Sequence, residues 1–476
     1  MADLSLLRSE AAVKPLQVRR PPMFAWVTGG AAMIAALLWP AIANRFPIVF
    51  YDTGGYLASA VTGQPGNGRA AIYGAFLWLG IPTTFWFSIV VQATITVWLV
   101  VLTLRTHGLG GRPTLATVIV AGLAALTGLP WYAAQLLPDI WLPDTVLALY
   151  LLAFRPRALQ SWQRLAFGAI VAFAMASHMG TLGVAIGLVA VLAAVAPFAV
   201  RLALPRPALS GPAIAAVAGG LLALASNLIL TGEFAFTRGG PNFLFGRLLQ
   251  TGIAAQYLED NCPDPTLRLC AYRNDLPPDG DNWLWDSDES PLYKLGGWNA
   301  FEPEAKRIVA ESLLQYPGRH LAAFVHGTLA QVVMVKTGED ITPWAWHVHD
   351  VLEHQAPAAY RRFLAARQQQ APFDFAWLNY VHVPIALLSM ALLPVVILQA
   401  RRGRVSRKMA ALAAVVLVAL LGNAVICGAL SNPHHRYQSR LVPLAALTVV
   451  MAALTRRAPA RRPEPSSAPS LAAEKA

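Results

Sequence analysis

The chain has 476 residues, of which 56% are hydrophobic and only 13% charged, with a mean hydropathy of +0.49. A soluble domain carries about 25% charged residues, so this deficit, with apolar runs of about 18 or more residues recurring along the chain, excludes a soluble globular protein and describes an all-α polytopic membrane protein. The net charge of +12 would suggest nucleic acid in a soluble protein, but its distribution points to the lipid bilayer as the partner and to no nucleic acid.

Residues 1–22 hold Arg8, Lys14, Arg19 and Arg20 and end in Pro21-Pro22, a basic cytoplasmic lead. The first apolar run, about Met23 to Ala43, is too long for a signal-peptide core and lacks a convincing small-residue cleavage site, so it reads as a retained span. Phe50-Tyr51-Asp52-Thr53-Gly54-Gly55-Tyr56-Leu57 follows, continuing through Arg69 and Tyr73 into an interfacial helix at about 70–80. Further spans are expected near 81–104, 113–129, 140–154, 165–177, 179–200 and 212–230, giving an N-terminal membrane module of about seven spans over 23–230.

Residues 231–378 are the one stretch able to form a water-soluble unit, a periplasmic loop domain with interfacial helices. Within it an amphipathic helix is expected near 302–315. The apolar stripe at 321–335 also reads as interfacial, because it contains His320, His326 and Gln331 at its flank and within it and stops at Lys336. Cys262 and Cys270 bracket seven residues, and in an oxidising compartment they close a loop worth about 2–3 kcal/mol on the chain-entropy model. Spans near 379–400, 409–430 and 441–455 form a C-terminal module over 379–455 and bring the total to about ten, before a disordered Pro/Ala/Ser-rich tail at 456–476.

Charge sets the orientation. The segments placed inside carry 21 of the 37 Lys and Arg residues and 4 of the 25 acidic ones, about +17 against about −5 outside. The positive-inside rule then places both termini in the cytoplasm and the long loop in the periplasm of a bacterial inner membrane.

On this topology, ionisable groups from four outer turns gather at one face. They are Asp52, Tyr56, Arg69 and Tyr73; Asp139 and Asp144 from Leu137-Pro138-Asp139-Ile140-Trp141-Leu142-Pro143-Asp144; His178; and His435, Arg436, Tyr437 and Arg440 beside Asn432 and His434. A charge near lipid is costly without a partner or a task. Plain alternatives are helix capping for Asp52 and Asp139, pairing within the bundle for Asp144, and snorkelling for Arg436. His347-x-His349-Asp350-x-x-x-His354 admits a metal by spacing alone, since Asp350 and His354 share a helical face. Trp283, Trp285, Trp298, Trp344 and Trp346 suit either an interfacial belt or a sugar-stacking surface.

An aspartate shortly after the first span in an Asp-x-x-x-Tyr setting, with an Arg and a Tyr before an interfacial helix, is similar to the first outer loop of GT-C superfamily glycosyltransferases. The acidic second loop, the Tyr316-Pro317 lead into a helix and the Arg436-Tyr437 turn look like that superfamily too, over residues 23–230 and 305–455. The resemblance implies a polyprenyl-phosphate-sugar donor and an envelope glycan, lipid or protein acceptor at the outer face. Asp52 would then be the base that activates the acceptor hydroxyl, and Asp139 would orient the acceptor or help to hold a divalent metal. Arg69 and Arg436 would bind the donor phosphate, with Tyr56, Tyr73, Asp144, His178, His435, Tyr437 and Arg440 around the substrate. The chain lacks the Rossmann-like glycine motif of sugar-nucleotide enzymes and the Trp-Trp-Asp signature of oligosaccharyltransferases. The rivals are a transporter or flippase for a lipid-linked glycan and a non-catalytic envelope-assembly protein. Grouping of the charges at one face, away from mid-bilayer, favours the enzyme.

Overall fold

A computed structural model describes residues 21–64, 66–232, 234–343 and 347–456. Most of the basic lead, Trp344, Trp346 and nearly all of the C-terminal tail lie outside the described residues. Among the described residues the chain is helical, and its β structure is limited to isolated bridges. Seven helices are long and apolar enough to cross a membrane: Met23–Asn44, Trp86–Thr106, Met179–Phe198, Ser210–Thr231, Ala376–Arg401, Arg407–Ala429 and His435–Leu454. At 1.5 Å per residue each reaches the roughly 30 Å that a bilayer core demands. This is the architecture of an all-α, multi-pass membrane protein.

Burial sorts the seven long helices into a peripheral group, which includes Met179–Phe198 at 33%, and a central one. Met23–Asn44, Ser210–Thr231 and Ala376–Arg401 are each only 28% buried over their apolar windows, and they leave rows such as Ile214, Val217 and Leu221 uncovered. Trp86–Thr106, Arg407–Ala429 and His435–Leu454 are 61–72% buried and form the centre. Such uncovered apolar rows suit a hydrocarbon solvent, not water.

Three of the expected spans form helices shorter than a bilayer: Pro113–Leu126 and Trp141–Phe154 have 14 residues and Ser161–Ser177 has 17. In Trp141–Phe154 every residue before Phe154 is buried, so this helix faces protein on all sides. The span expected from 81 starts later, at Trp86, because Ile81–Thr83 makes a single 3-10 turn containing Pro82. Thr84 and Phe85 then take left-handed backbone angles, φ 52° and 65°, that interrupt a helix.

The described residues of 231–378 contribute to two different cores. The helices Gly240–Gln250, Ile253–Asn261, Gly280–Trp285 and Gly297–Gln315 bury their own core around Phe245, Tyr257, Trp283 and Phe301, closed at one edge by the Cys262–Cys270 disulfide. Beyond them, Ile341, Val348, Leu352 and Phe363 join the core of the membrane bundle. The stripe expected to be interfacial forms Pro317–Val333, which leaves Leu321, Val325, Leu329 and Val333 uncovered on one face. Its other face crosses Arg407–Ala429 glycine on glycine. A Cβ on Gly327 would stand 2.2 Å from the Gly428 carbonyl oxygen, and one on Gly428 would stand 2.3 Å from the Gly327 oxygen.

Gly428→Leu is therefore expected to destabilise the folded protein by about 1–3 kcal/mol through overpacking. Gly422→Ala, whose added methyl meets nothing within 4 Å, should leave thermal unfolding in detergent unchanged or slightly raised.

Candidate functional site

The turn after the first long helix is stitched on two sides. Ile48 N–H donates to the Ala134 carbonyl at 2.9 Å, and Leu136 N–H donates to the Ile48 carbonyl at 2.9 Å. On the other side the Gln368 amide oxygen accepts from Val49 N–H at 3.0 Å, while its nitrogen donates to the Val49 carbonyl at 2.7 Å. Thr53 Oγ1 accepts from Phe50 N–H at 3.0 Å and donates to the Leu136 carbonyl at 3.1 Å. These bonds start the helix Tyr51–Thr62 at a fixed place and put Asp52 in its first turn, where the helix dipole favours a carboxylate.

Two arginines reach that carboxylate from distant parts of the chain. Arg69 Nη2 lies 2.5 Å from Asp52 Oδ1, and Arg436 presents Nη1 and Nη2 to Oδ2, each at 3.3 Å. Arg69 arrives by lying across Gly55, where a Cβ would come within 2.5 Å of its Cδ. The preceding Gly68 has φ +72°, and a Cβ there would strike the Phe243 ring at 2.6 Å. Arg69 also stands 4.6 Å over the Trp285 ring, and Arg436 stands 4.4 Å over Phe50 and 4.9 Å over Tyr437. Such faces stabilise a guanidinium that has left water.

Burial alone would raise the Asp52 carboxyl, but the charges of Arg69 and Arg436 and their hydrogen bonds outweigh it and bring it from 3.8 down to about 2. The cluster holds two cations and one anion, so it carries a surplus positive charge. Arg69 Nε is buried with no hydrogen-bond acceptor among the described residues.

All three groups face a cavity of about 1060 Å³. Tyr56, His178 and Tyr437, also expected at the site, line it with them. Its lining includes the apolar side chains of Met179, Leu244, Ile426 and Leu430, and an aromatic wall of Tyr51, Phe243 and Trp285. An acidic wall sets Asp281 and Asp340 beside Asn432 and His434, and Asn282 and Asp286 also line the cavity. Burial, with Arg440 nearby, lowers His178 to about 4, so its ring is neutral; its Nδ1 accepts from Thr181 N–H at 3.4 Å.

The remaining expected residues lie off the cavity surface. Asp139 and Arg440 form a buried pair, Oδ1 to Nη1 2.7 Å, and Arg440 Nη2 also donates to Asn423 Oδ1 at 3.0 Å. Asp144 accepts from Thr96 Oγ1 at 3.0 Å inside the bundle. Tyr73 donates to Gln92 Oε1 at 3.0 Å and packs its ring edge-on against Tyr56. His435 Nδ1 accepts from Lys336 N–H at 3.2 Å. In the candidate metal stretch, Asp350 and His354 make an exposed pair at 3.5 Å and His349 stacks edge-on against Tyr360 and Phe363. The side chain of His347 lies outside the described residues.

A different group has ligand spacing: Glu339, Asp340 and His434 each offer one atom within 4.8 Å of the others. Nothing in the chain's local spacing joins 339 and 340 to 434. The available signal is Gly338-Glu339-Asp340, where Gly338 at φ +90° and Asp340 at φ 56° make a turn that sets two carboxylates side by side. Burial would lower His434, but Asp281 and Glu339 raise it to about 11 and hold the ring as an imidazolium between them.

Because the Asp52 carboxyl is held at about 2 instead of 3.8, its contribution to stability is fully present above pH 3.8 and is lost as pH falls through about 2. Thermal unfolding from pH 6 to pH 2 should show a steeper acid-side loss in the wild type than in Asp52→Asn. Asp139→Ala leaves Arg440 buried without its counter-charge and should cost about 3–5 kcal/mol, read as a lowered unfolding temperature with the cavity otherwise intact. Comparison of this chain with protein-family models, with curated proteins and with solved structures gives no match.

Proposed function

We propose that this chain is a GT-C-type membrane glycosyltransferase that moves a sugar from a polyprenyl-phosphate-linked donor to an acceptor at the periplasmic face of a bacterial inner membrane. In this reading the three shorter helices are crossings held between longer neighbours, giving ten spans with both termini in the cytoplasm. The observation that carries it is the meeting of Asp52, Arg69 and Arg436 in one cavity lined by both apolar and polar side chains.

An isoprenoid chain suits the apolar lining of Met179, Leu244, Ile426 and Leu430, and its phosphate suits the two guanidinium groups, whose forks match phosphate oxygens. The aromatic lining of Tyr51, Phe243 and Trp285 suits the apolar side of a sugar ring. While both arginines hold Asp52, its carboxylate is too weakly basic to take a proton. A donor phosphate competes for the same guanidinium groups, and drawing them away raises the basicity of Asp52. The freed carboxylate then accepts the proton of the acceptor hydroxyl as that oxygen bonds to the anomeric carbon. The bond from that carbon to the phosphate oxygen breaks, and the leaving phosphate stays on Arg69 and Arg436.

Asp52→Asn is expected to lower transfer by about 100-fold or more while polyprenyl phosphate binding, read by native mass spectrometry, persists. Arg436→Ala should weaken that binding. Full transfer activity in Asp52→Asn would remove Asp52 as the base, and wild-type protein that binds no polyprenyl phosphate would remove the reading as a whole.

A further inference from the structure

The acidic wall holds an arrangement that the transfer chemistry does not use. His434 Nε2 lies 3.3 Å from Asp281 Oδ2, and Asp281 Oδ1 in turn accepts from Asn432 Nδ2 at 3.3 Å. Asp281 thus fixes the ring from one side. The other ring nitrogen, Nδ1, is aimed at Glu339 Oε1 at 3.7 Å, which is too long for a hydrogen bond. Glu339 is itself anchored, since its Oε2 accepts from Arg436 N–H at 3.0 Å.

A carboxylate that orients a histidine whose second nitrogen faces further carboxylates is the usual backing of a metal-bound imidazole. An ion with bonds of about 2.0–2.2 Å holds its ligand atoms no more than about 4.4 Å apart. The atoms offered by Glu339, Asp340 and His434 all lie within 4.8 Å of one another, so side-chain shifts of a few tenths of an ångström bring them into range. The donor set agrees as well, since one imidazole nitrogen and two carboxylate oxygens at this spacing are atoms that a divalent transition-metal ion takes as ligands.

We propose that Glu339, Asp340 and His434 bind one divalent transition-metal ion at the edge of the cavity, with Asp281 positioning the His434 ring from behind. The ion takes the place of the proton on Nδ1. One imidazole and two carboxylates suit Mn²⁺ or Zn²⁺ better than Ca²⁺ or Mg²⁺. Asp340 and His434 both line the cavity, so coordination positions on that side stay open to an oxygen ligand. The site does not depend on the glycosyltransferase reading, and its test reads metal occupancy alone.

The full-length protein, purified in detergent and stripped with a chelator, is titrated with Mn²⁺ while the free ion is followed by electron paramagnetic resonance. One saturable Mn²⁺ per chain, displaced by Zn²⁺, is expected. Glu339→Gln and Asp340→Asn should each weaken uptake at least about tenfold, and Asp281→Asn should do so by about 10- to 100-fold. Asp350→Asn, in the separate exposed pair, should change nothing. Electron spin-echo modulation of the wild-type complex needs no variant to fold and should show a single imidazole nitrogen coupled to the ion. Absence of saturable uptake, uptake with no nitrogen coupling, or uptake unchanged in the Glu339→Gln/Asp340→Asn double variant would each overturn the site and leave His434 as a plain ion pair.

Discussion

One carboxylate shared by two guanidinium groups holds this molecule's cavity together. Asp52 follows the first long helix, while Arg436 opens the last, so their contact closes the chain on itself across 384 positions. In water such a cluster would contribute little. Here the three side chains are only 12–21% exposed, and each charge needs the others to remain in a half-dry pocket. The surrounding aromatic faces of Phe50, Tyr437 and Trp285 take over part of the hydration that the arginines have lost.

That contact requires the preceding turn to be held to within a fraction of an ångström, and neutral groups do this. Gln368 imitates a strand neighbour for Val49, and residues 134–136 do the same for Ile48. Tyr132 adds a hydrogen bond to the Arg436 carbonyl at 3.1 Å, joining the same region to the last helix. The membrane helices therefore supply the level at which the groups meet, and short backbone pairings supply the register.

Legibility in the sequence followed the range of the forces involved. The seven long helices are apolar runs whose length alone distinguishes them, and the Cys262–Cys270 bridge joins near neighbours. Asp52, Arg69 and Arg436 stood out because unpaired charges near lipid are costly. The division of residues 231–378 between two cores was not legible, because Val348, Leu352 and Phe363 are spaced like any amphipathic helix and only the assembled bundle shows what they pack on. Asp139 and Arg440 were picked out as ionisable groups, but their burial against each other depends on a contact across 301 positions. The approach of Glu339 and Asp340 to His434 is equally non-local and left no trace in residue spacing. Glycine is a poor helix former, yet Gly55 lies within a helix and leaves the space that Arg69 crosses.

Arg69, Asp52, Arg436, Asp139 and Arg440 form a row of alternating sign, since Asp139 is pulled down by Arg436 as well as by its direct partner Arg440. Of its three positive members, Arg69 and Arg440 hold the two short pairs, at 2.5 Å to Asp52 and 2.7 Å to Asp139, and Arg436 stands between them at 3.3 Å from Asp52. Because each carboxylate lies between positive neighbours, a neutral replacement at the buried end of the row would change the field at Arg436, which Asp139 influences without a direct contact.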